Sequence, residues 1–196
     1  MKALIIVDVQ NDFLPGGRLA VPDGDLIISQ VNAIQSSYDL IVATQDWHPA
    51  DHLSFASQHP NHKVFDQIAL DGLEQVIWPD HCIQESEGAE FAKQLDTKGI
   101  QAIFRKGMDR SLDSYSGFYD NGHRKNTGLA AYLKGRGVQD IDVCGLAADF
   151  CVFYTALDSL QAGFNSTILI EATKAIDRDA FQDKLHVFRE KGGLVK

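Results

Sequence analysis

Five short apolar runs, separated from one another by helix-length stretches, constrain this chain more than any other feature. The first, Ala-Leu-Ile-Ile-Val (3–7), is apolar without alternation, the pattern of a strand buried on both faces. Residues 40–44 repeat that character, and 100–104, 141–144 and 166–171 read as further short strands. The spacing of apolar residues between and after them predicts helices over 25–37, 88–95, 127–134, 150–161 and 178–191. The first of these opens on Asp25 as a cap and carries Leu26, Ile27, Val31 and Ile34 on one face. Strands alternating with helices imply a parallel sheet covered on both sides. Right-handed crossovers then make a doubly wound, three-layer α/β/α sandwich. No repeat, linker or low-complexity stretch divides the 196 residues, so they read as a single domain spanning 1–196.

Charge and cysteine usage narrow the function. Eighteen Lys+Arg against 27 Asp+Glu leave a net charge of −9, which argues against a nucleic-acid partner. No run approaches the ~20 apolar residues of a membrane span, so no membrane partner is expected. The apolar start meets Asp8, Gln10, Asn11 and Asp12 at once and reads as a first strand rather than a leader. Cys82, Cys144 and Cys151 cannot all pair within one chain, so reduced thiols and a cytoplasmic location are expected. The helix faces do not fix the number of copies, and a homo-oligomer stays open.

In doubly wound sheets the active groups stand at the carboxyl ends of strands. Here the first strand ends at Asp8, the second near Asp46 and His48, the third at Lys106, and the fourth just before Cys151. Cys151 falls in the first turn of a predicted helix, where the dipole and free N–H groups favour a thiolate and can hold an oxyanion. Its other reading is a buried core cysteine. Cys144 reads as core, and Cys82 as either. Asp8, at the tip of an apolar strand, suits a proton shuttle or a carboxylate held by loop amides. Lys106 suits a cation facing both, or a solvated lysine.

Residues 45–85 form a connection too long for a mere link, and we read them as a metal- and substrate-binding loop region. They hold five of the seven histidines and both tryptophans. Asp46-Trp47-His48 sets an acid and an imidazole two residues apart, with His52 and His81 as further nitrogen donors, a set that suits zinc, iron or manganese. His59 and His62 read as surface residues. Phe13, Trp78 and Tyr115 either wall a pocket for a flat ring or pack beneath the loop.

Six segments together carry a resemblance: 3–13 (ALIIVDVQNDF), 46–49 (DWHP), 78–82 (WPDHC), 105–107 (RKG), 115–118 (YSGF) and 145–152 (GLAADFCV). In this order, across nearly the whole chain, they are similar to the isochorismatase-like family of cysteine hydrolases. The Asp-X-His and Trp-Pro-X-His-Cys pieces resemble its nicotinamidases in particular. The resemblance implies a six-stranded parallel sheet and a triad of Asp8, Lys106 and Cys151. It implies one divalent metal held by Asp46, His48 and His81, with His52 as fourth protein ligand, and no organic cofactor. It also implies a non-proline cis peptide at Leu146–Ala147 and an oxyanion hole from the N–H groups of Ala147 and Cys151. The implied substrate is nicotinamide, with its ring between Phe13, Trp78 and Tyr115 and its amide hydrolysed through a thioester. The rivals are an amidohydrolase of the same family acting on a carbamoyl or ureido substrate, and a silent binding module on the same fold.

Overall fold

The computed structural model describes residues 1–196. Strand β1 (Lys2–Val7) is buried from its second residue onward, and β2 (Leu40–Asp46) along its whole length. The other strands of the main sheet are β5 (Ala102–Lys106), β6 (Asp140–Gly145), β7 (Asn165–Thr173) and the short β8 (Leu194–Val195). They lie in the order β5-β2-β1-β6-β7-β8, and every neighbouring pair is parallel. Side chains alternate across this sheet and feed two cores. Ala3, Ile5 and Val7 pack with α2 (Leu129–Gly135), α3 (Phe153–Gln161) and α4 (Arg178–Glu190). Leu4 and Ile6 pack with α1 (Ile28–Ile34) and with the segment holding Ala89, Ala92 and Leu95. This is the expected three-layer sandwich, with a six-stranded parallel sheet.

Helix α4 illustrates why these residues form these elements. Phe181, Leu185 and Phe188 recur at the spacing of one helical face and are all buried. The Asp177 carboxylate accepts the N–H groups of Asp179 and Ala180, closing the helix start. Phe188 is fully buried, and Phe188→Ala would cost about 3–5 kcal/mol.

Two expected features are replaced. The stretch 88–95 is not a helix: Ser86 caps a single 3-10 turn, Glu87–Ala89, and a second turn follows at 93–94. Its backbone is claimed by the end of β1 instead. Ala92 N donates to Val9 O, Asn11 N donates to Glu90 O, and Gln10 bridges Phe91. Within 45–85 the chain folds a hairpin of β3 (Gln67–Leu70) and β4 (Leu73–Val76). Asp71 and Gly72, at φ +50° and +80°, make its two-residue turn. No helix is long and apolar enough to cross a membrane.

The sheet order sets the site. From β1 the chain adds β2 and β5 on one side, then crosses to β6 on the other. The reversal therefore lies between β1 and β6, where doubly wound sheets open a crevice. Gly145 allows the close approach there: its φ is +112°, and a Cβ would stand 2.0 Å from Val7 O.

Candidate active site

Strand register brings the first groups together. Asp46 and Lys106 are paired partners at the carboxyl edge of β2 and β5, and Val7 pairs with Gly145 across β1 and β6. Asp8 follows Val7 in a left-handed conformation, φ +48°, so the chain turns sharply at the strand tip. Cys151 comes from a turn of π-helix, Ala148–Val152, that joins β6 to α3 after a cis Leu146–Ala147 peptide.

The four side chains converge in one buried cluster. Lys106 Nζ lies 2.8 Å from Asp8 Oδ2 and donates to Asp46 Oδ1 at 2.5 Å, to Ser114 O at 3.0 Å and to Cys151 Sγ at 3.3 Å. Thr44 Oγ1 donates to Asp8 Oδ1 at 2.6 Å. Asp8, Asp46 and Cys151 offer atoms within 4.8 Å of one another.

Burial and charge set the protonation states. Burial pushes Asp8 up, against the pull of Lys106 and with a further push from Asp46. Burial alone would strip Lys106 of its proton, but Asp46, Asp8 and Cys151 outweigh it and hold the ammonium charged. Burial also drives the Cys151 thiol well up, and Asp8 and Asp46 add to that against Lys106. The helix start favours the thiolate, but burial, Asp8 and Asp46 favour the thiol, whose proton lies beside the Asp8 carboxylate.

The other oxygen of Asp46 faces two imidazoles. Asp46 Oδ2 is 3.6 Å from His48 Nε2 and 3.8 Å from His81 Nε2. His48 Nδ1 donates to Gly107 O at 2.9 Å and His81 Nδ1 to Pro79 O at 2.7 Å. Each carbonyl accepts from Nδ1 and turns Nε2 toward the carboxylate, which is how metal-binding histidines are oriented. Gly107 must be glycine, because its φ is +63° and a Cβ would meet the His48 ring at 2.3 Å. The donor set fits a divalent cation.

His81 reaches this place because two short pairings fold the long region back, His48 against Ile83 and Phe55 against Trp78. His52 is not drawn into the same set. Its ligand atom groups with His48 and Asp113, not with Asp46 and His81. Ser54 N donates to His52 Nδ1 at 3.2 Å, and Nε2 is buried without a partner. Burial pushes this imidazole down to about 4, so it is neutral. His59 is partly buried, donating from Nε2 to Leu53 O, and His62 is exposed beside Asp66.

Phe13, Trp78, Tyr115, Ala147 and Cys151 all line one cavity, and Asp46, His48 and His81 form part of its wall. Trp78 Nε1 donates to Tyr115 OH at 3.2 Å, and their rings stand at 89°.

The sequence profile of the isochorismatase domain matches residues 2–195. The chain belongs to the isochorismatase family. Among its relatives, the nicotinamidase of Acinetobacter baylyi is 50% identical over 175 residues, covering 89% of this chain and 82% of that protein. A solved nicotinamidase/pyrazinamidase structure from Acinetobacter baumanii superposes with a TM-score of 0.97 at 44% identity, covering 99% of this chain and 94% of that one. The pyrazinamidase of Pyrococcus horikoshii, solved in complex with zinc, superposes at 0.83 and 37% identity, covering 100% and 98%.

This member of the isochorismatase family also builds its cavity from residues that the sequence reading did not single out. Phe150 faces Trp78 edge-on at 4.8 Å, and Leu19, Asp113 and Ile176 complete the lining. Phe150 is legible as the neighbour of Cys151. Asp113 carries no sequence signal. It is placed by Gln75 of the hairpin, whose Nε2 donates to Asp113 Oδ2 at 2.9 Å and to Tyr115 OH at 3.1 Å. The Asp-Gly turn of that hairpin was the available clue.

Proposed function

We propose that this protein hydrolyses nicotinamide to nicotinate and ammonia through a thioester on Cys151. The observation that carries the reading is the position of Cys151, which lines the aromatic-walled cavity and receives at Sγ a bond from Lys106, whose ammonium also lies 2.8 Å from Asp8 Oδ2. The relatives' names point to the same substrate class.

The resting thiol is protonated, so the reaction starts with transfer of its proton to Asp8, whose raised pKa suits an acceptor that must later give the proton back. The sulfur attacks the carboxamide carbon, and the N–H groups of Ala147 and Cys151 receive the oxyanion, where one donor is typically worth ~3 kcal/mol. Asp8 returns the proton to the nitrogen, the C–N bond breaks, and ammonia leaves a thioester. Asp8 then takes a proton from water as it attacks the thioester carbon. Collapse of that adduct releases the acid and restores the thiol. Lys106 stays an ammonium throughout, balancing Asp8 and Asp46 so that both can remain ionised in a buried place.

Phe13, Trp78, Tyr115 and Phe150 hold the ring. Asp46, His48 and His81 would hold a divalent metal ion, with His52 packed against His48 rather than completing the set. Such an ion supplies a Lewis-acid anchor for the ring nitrogen and so orients the amide toward Cys151. This aromatic and metal-binding wall favours a heteroaromatic amide over a ureido one.

Ammonia release measured with nicotinamide and with a ureido amide, side by side, tests the proposal. Turnover of nicotinamide with little or none of the ureido compound is expected. The reverse preference would reject nicotinamide as the substrate.

A further inference from the structure

Asp149 sits two residues before the nucleophile, fully buried, and the mechanism makes no use of it. Its carboxylate bridges two parts of the chain: Oδ1 accepts the N–H of Ile176 at 2.9 Å and Oδ2 that of Asp177 at 2.9 Å. Two more bonds join the same segments. Ala148 N donates to Lys174 O at 2.7 Å, and Lys184 Nζ, from α4, donates to the carbonyl of Asp149. Lys184 also lies over the rings of Phe150, Tyr154 and Phe153, at 4.4, 5.1 and 5.5 Å from their centroids.

We propose that Asp149 is a positioning residue, whose carboxylate, helped by Lys184, clasps the turn carrying Cys151 to the segment between β7 and α4 and so fixes where the sulfur stands. The turn needs such a device. It is a short π-helical stretch at the start of α3, closed by Val152 N to Ala147 O and Phe153 N to Ala148 O, where the wide turn departs from the regular helical ladder. The far side of the clasp matters as well, because Ile176 lines the cavity together with Phe150 and Cys151. One carboxylate therefore ties the turn of the nucleophile and another lining segment into a single frame. Only a carboxylate can do this. Asparagine has the same shape but one acceptor oxygen, so it must turn an NH2 group toward one of the two N–H donors. A displacement of 1 Å at a reacting group can cost about 10²-fold in rate.

This inference rests, for its activity readout, on the thioester mechanism proposed above. The test compares wild type, Asp149→Asn and Lys184→Met, with rates expressed per folded molecule. In Asp149→Asn, exchange of the Ile176 and Asp177 amide hydrogens should speed up at least ~10-fold while β1 and β2 stay protected. Its kcat should fall about 10- to 100-fold with KM within about threefold. A merely structural role would lower stability and leave kcat per folded molecule in place, and that result overturns the proposal. Unchanged exchange at Ile176 and Asp177 overturns it too. If Asp149→Asn does not fold, Lys184→Met decides: a severalfold lower kcat at unchanged KM supports the clasp, and an unchanged kcat refutes it. If wild type turns over no nicotinamide, the functional reading fails separately. The clasp is then judged by exchange and by the rate at which a small haloacetamide labels Cys151, which must change more than about threefold in Asp149→Asn.

Discussion

Lys106→Met removes a charge while leaving an unbranched chain in the same slot. In the native cluster the ammonium is 2.8 Å from Asp8 and 2.5 Å from Asp46, and none of its side chain is exposed. Deleting one partner of a buried pair costs about 3–5 kcal/mol, because a charge is left uncompensated. Here two carboxylates are stranded, so we expect a loss in that range near neutral pH. For a chain of this size, at about 2–4 °C per kcal/mol, Tm should fall by roughly 6–20 °C. The pH dependence has a definite sign. Burial already raises Asp8 in the native protein, and losing Lys106 removes the main pull in the other direction. A carboxyl whose folded pKa is raised stabilises the fold below its unfolded value and loses that contribution as pH rises through the folded value. The deficit of Lys106→Met should therefore shrink on acidification from about pH 7 to about pH 5. Thermal unfolding of both chelated proteins across that range measures it. A variant as stable as wild type at neutral pH, or a deficit that grows in acid, would refute the assignment of Lys106 as the counter-ion of two buried carboxylates.

Three further outcomes are expected. Asp46→Ala, His48→Ala and His81→Ala should each bind a divalent metal at least ~10-fold more weakly and raise KM; unchanged metal content in a purified variant removes that residue from the set. His52→Ala should lose much less metal than these, and an equal loss would return His52 to the ligand set. The acid limb of kcat/KM should fall as Asp8 takes up a proton, with a midpoint above the ordinary carboxylate value of 3.8, because burial raises this group. A limb at or below that value would exclude Asp8 as the base.

The fold was legible where sequence pattern and burial coincide. Residues 3–7 and 40–44 are apolar without alternation because both faces of β1 and β2 are covered, and the groups at their tips, Asp8 and Asp46, follow from the parallel sheet alone. The stretch 88–95 misled because its helical spacing is real, but the end of β1 captures its backbone: Gln10 Nε2 and Gln45 Nε2 both donate to Ala89 O, and Val9 O accepts from Ala92. Tertiary partners overrode local preference there. The site was legible in its strand-end residues and in the motif around Cys151. Asp113 and Ile176 enter the cavity only through long-range packing, which no local spacing encodes. The balance at the Cys151 thiol likewise depends on residues distant in sequence. The helix start favours a thiolate, but Asp8 and Asp46, brought in from other strands, together with burial, favour the thiol.

Covalent attachment at Cys151 is the step on which the account depends. Acid-quenched protein, taken during steady turnover of nicotinamide and digested for mass spectrometry, reads it directly. The peptide containing Cys151 should carry the mass of a nicotinoyl group, and Cys151→Ala should show neither that adduct nor turnover. Turnover by Cys151→Ala at a rate near wild type, or an acyl group found on another residue, would contradict the account.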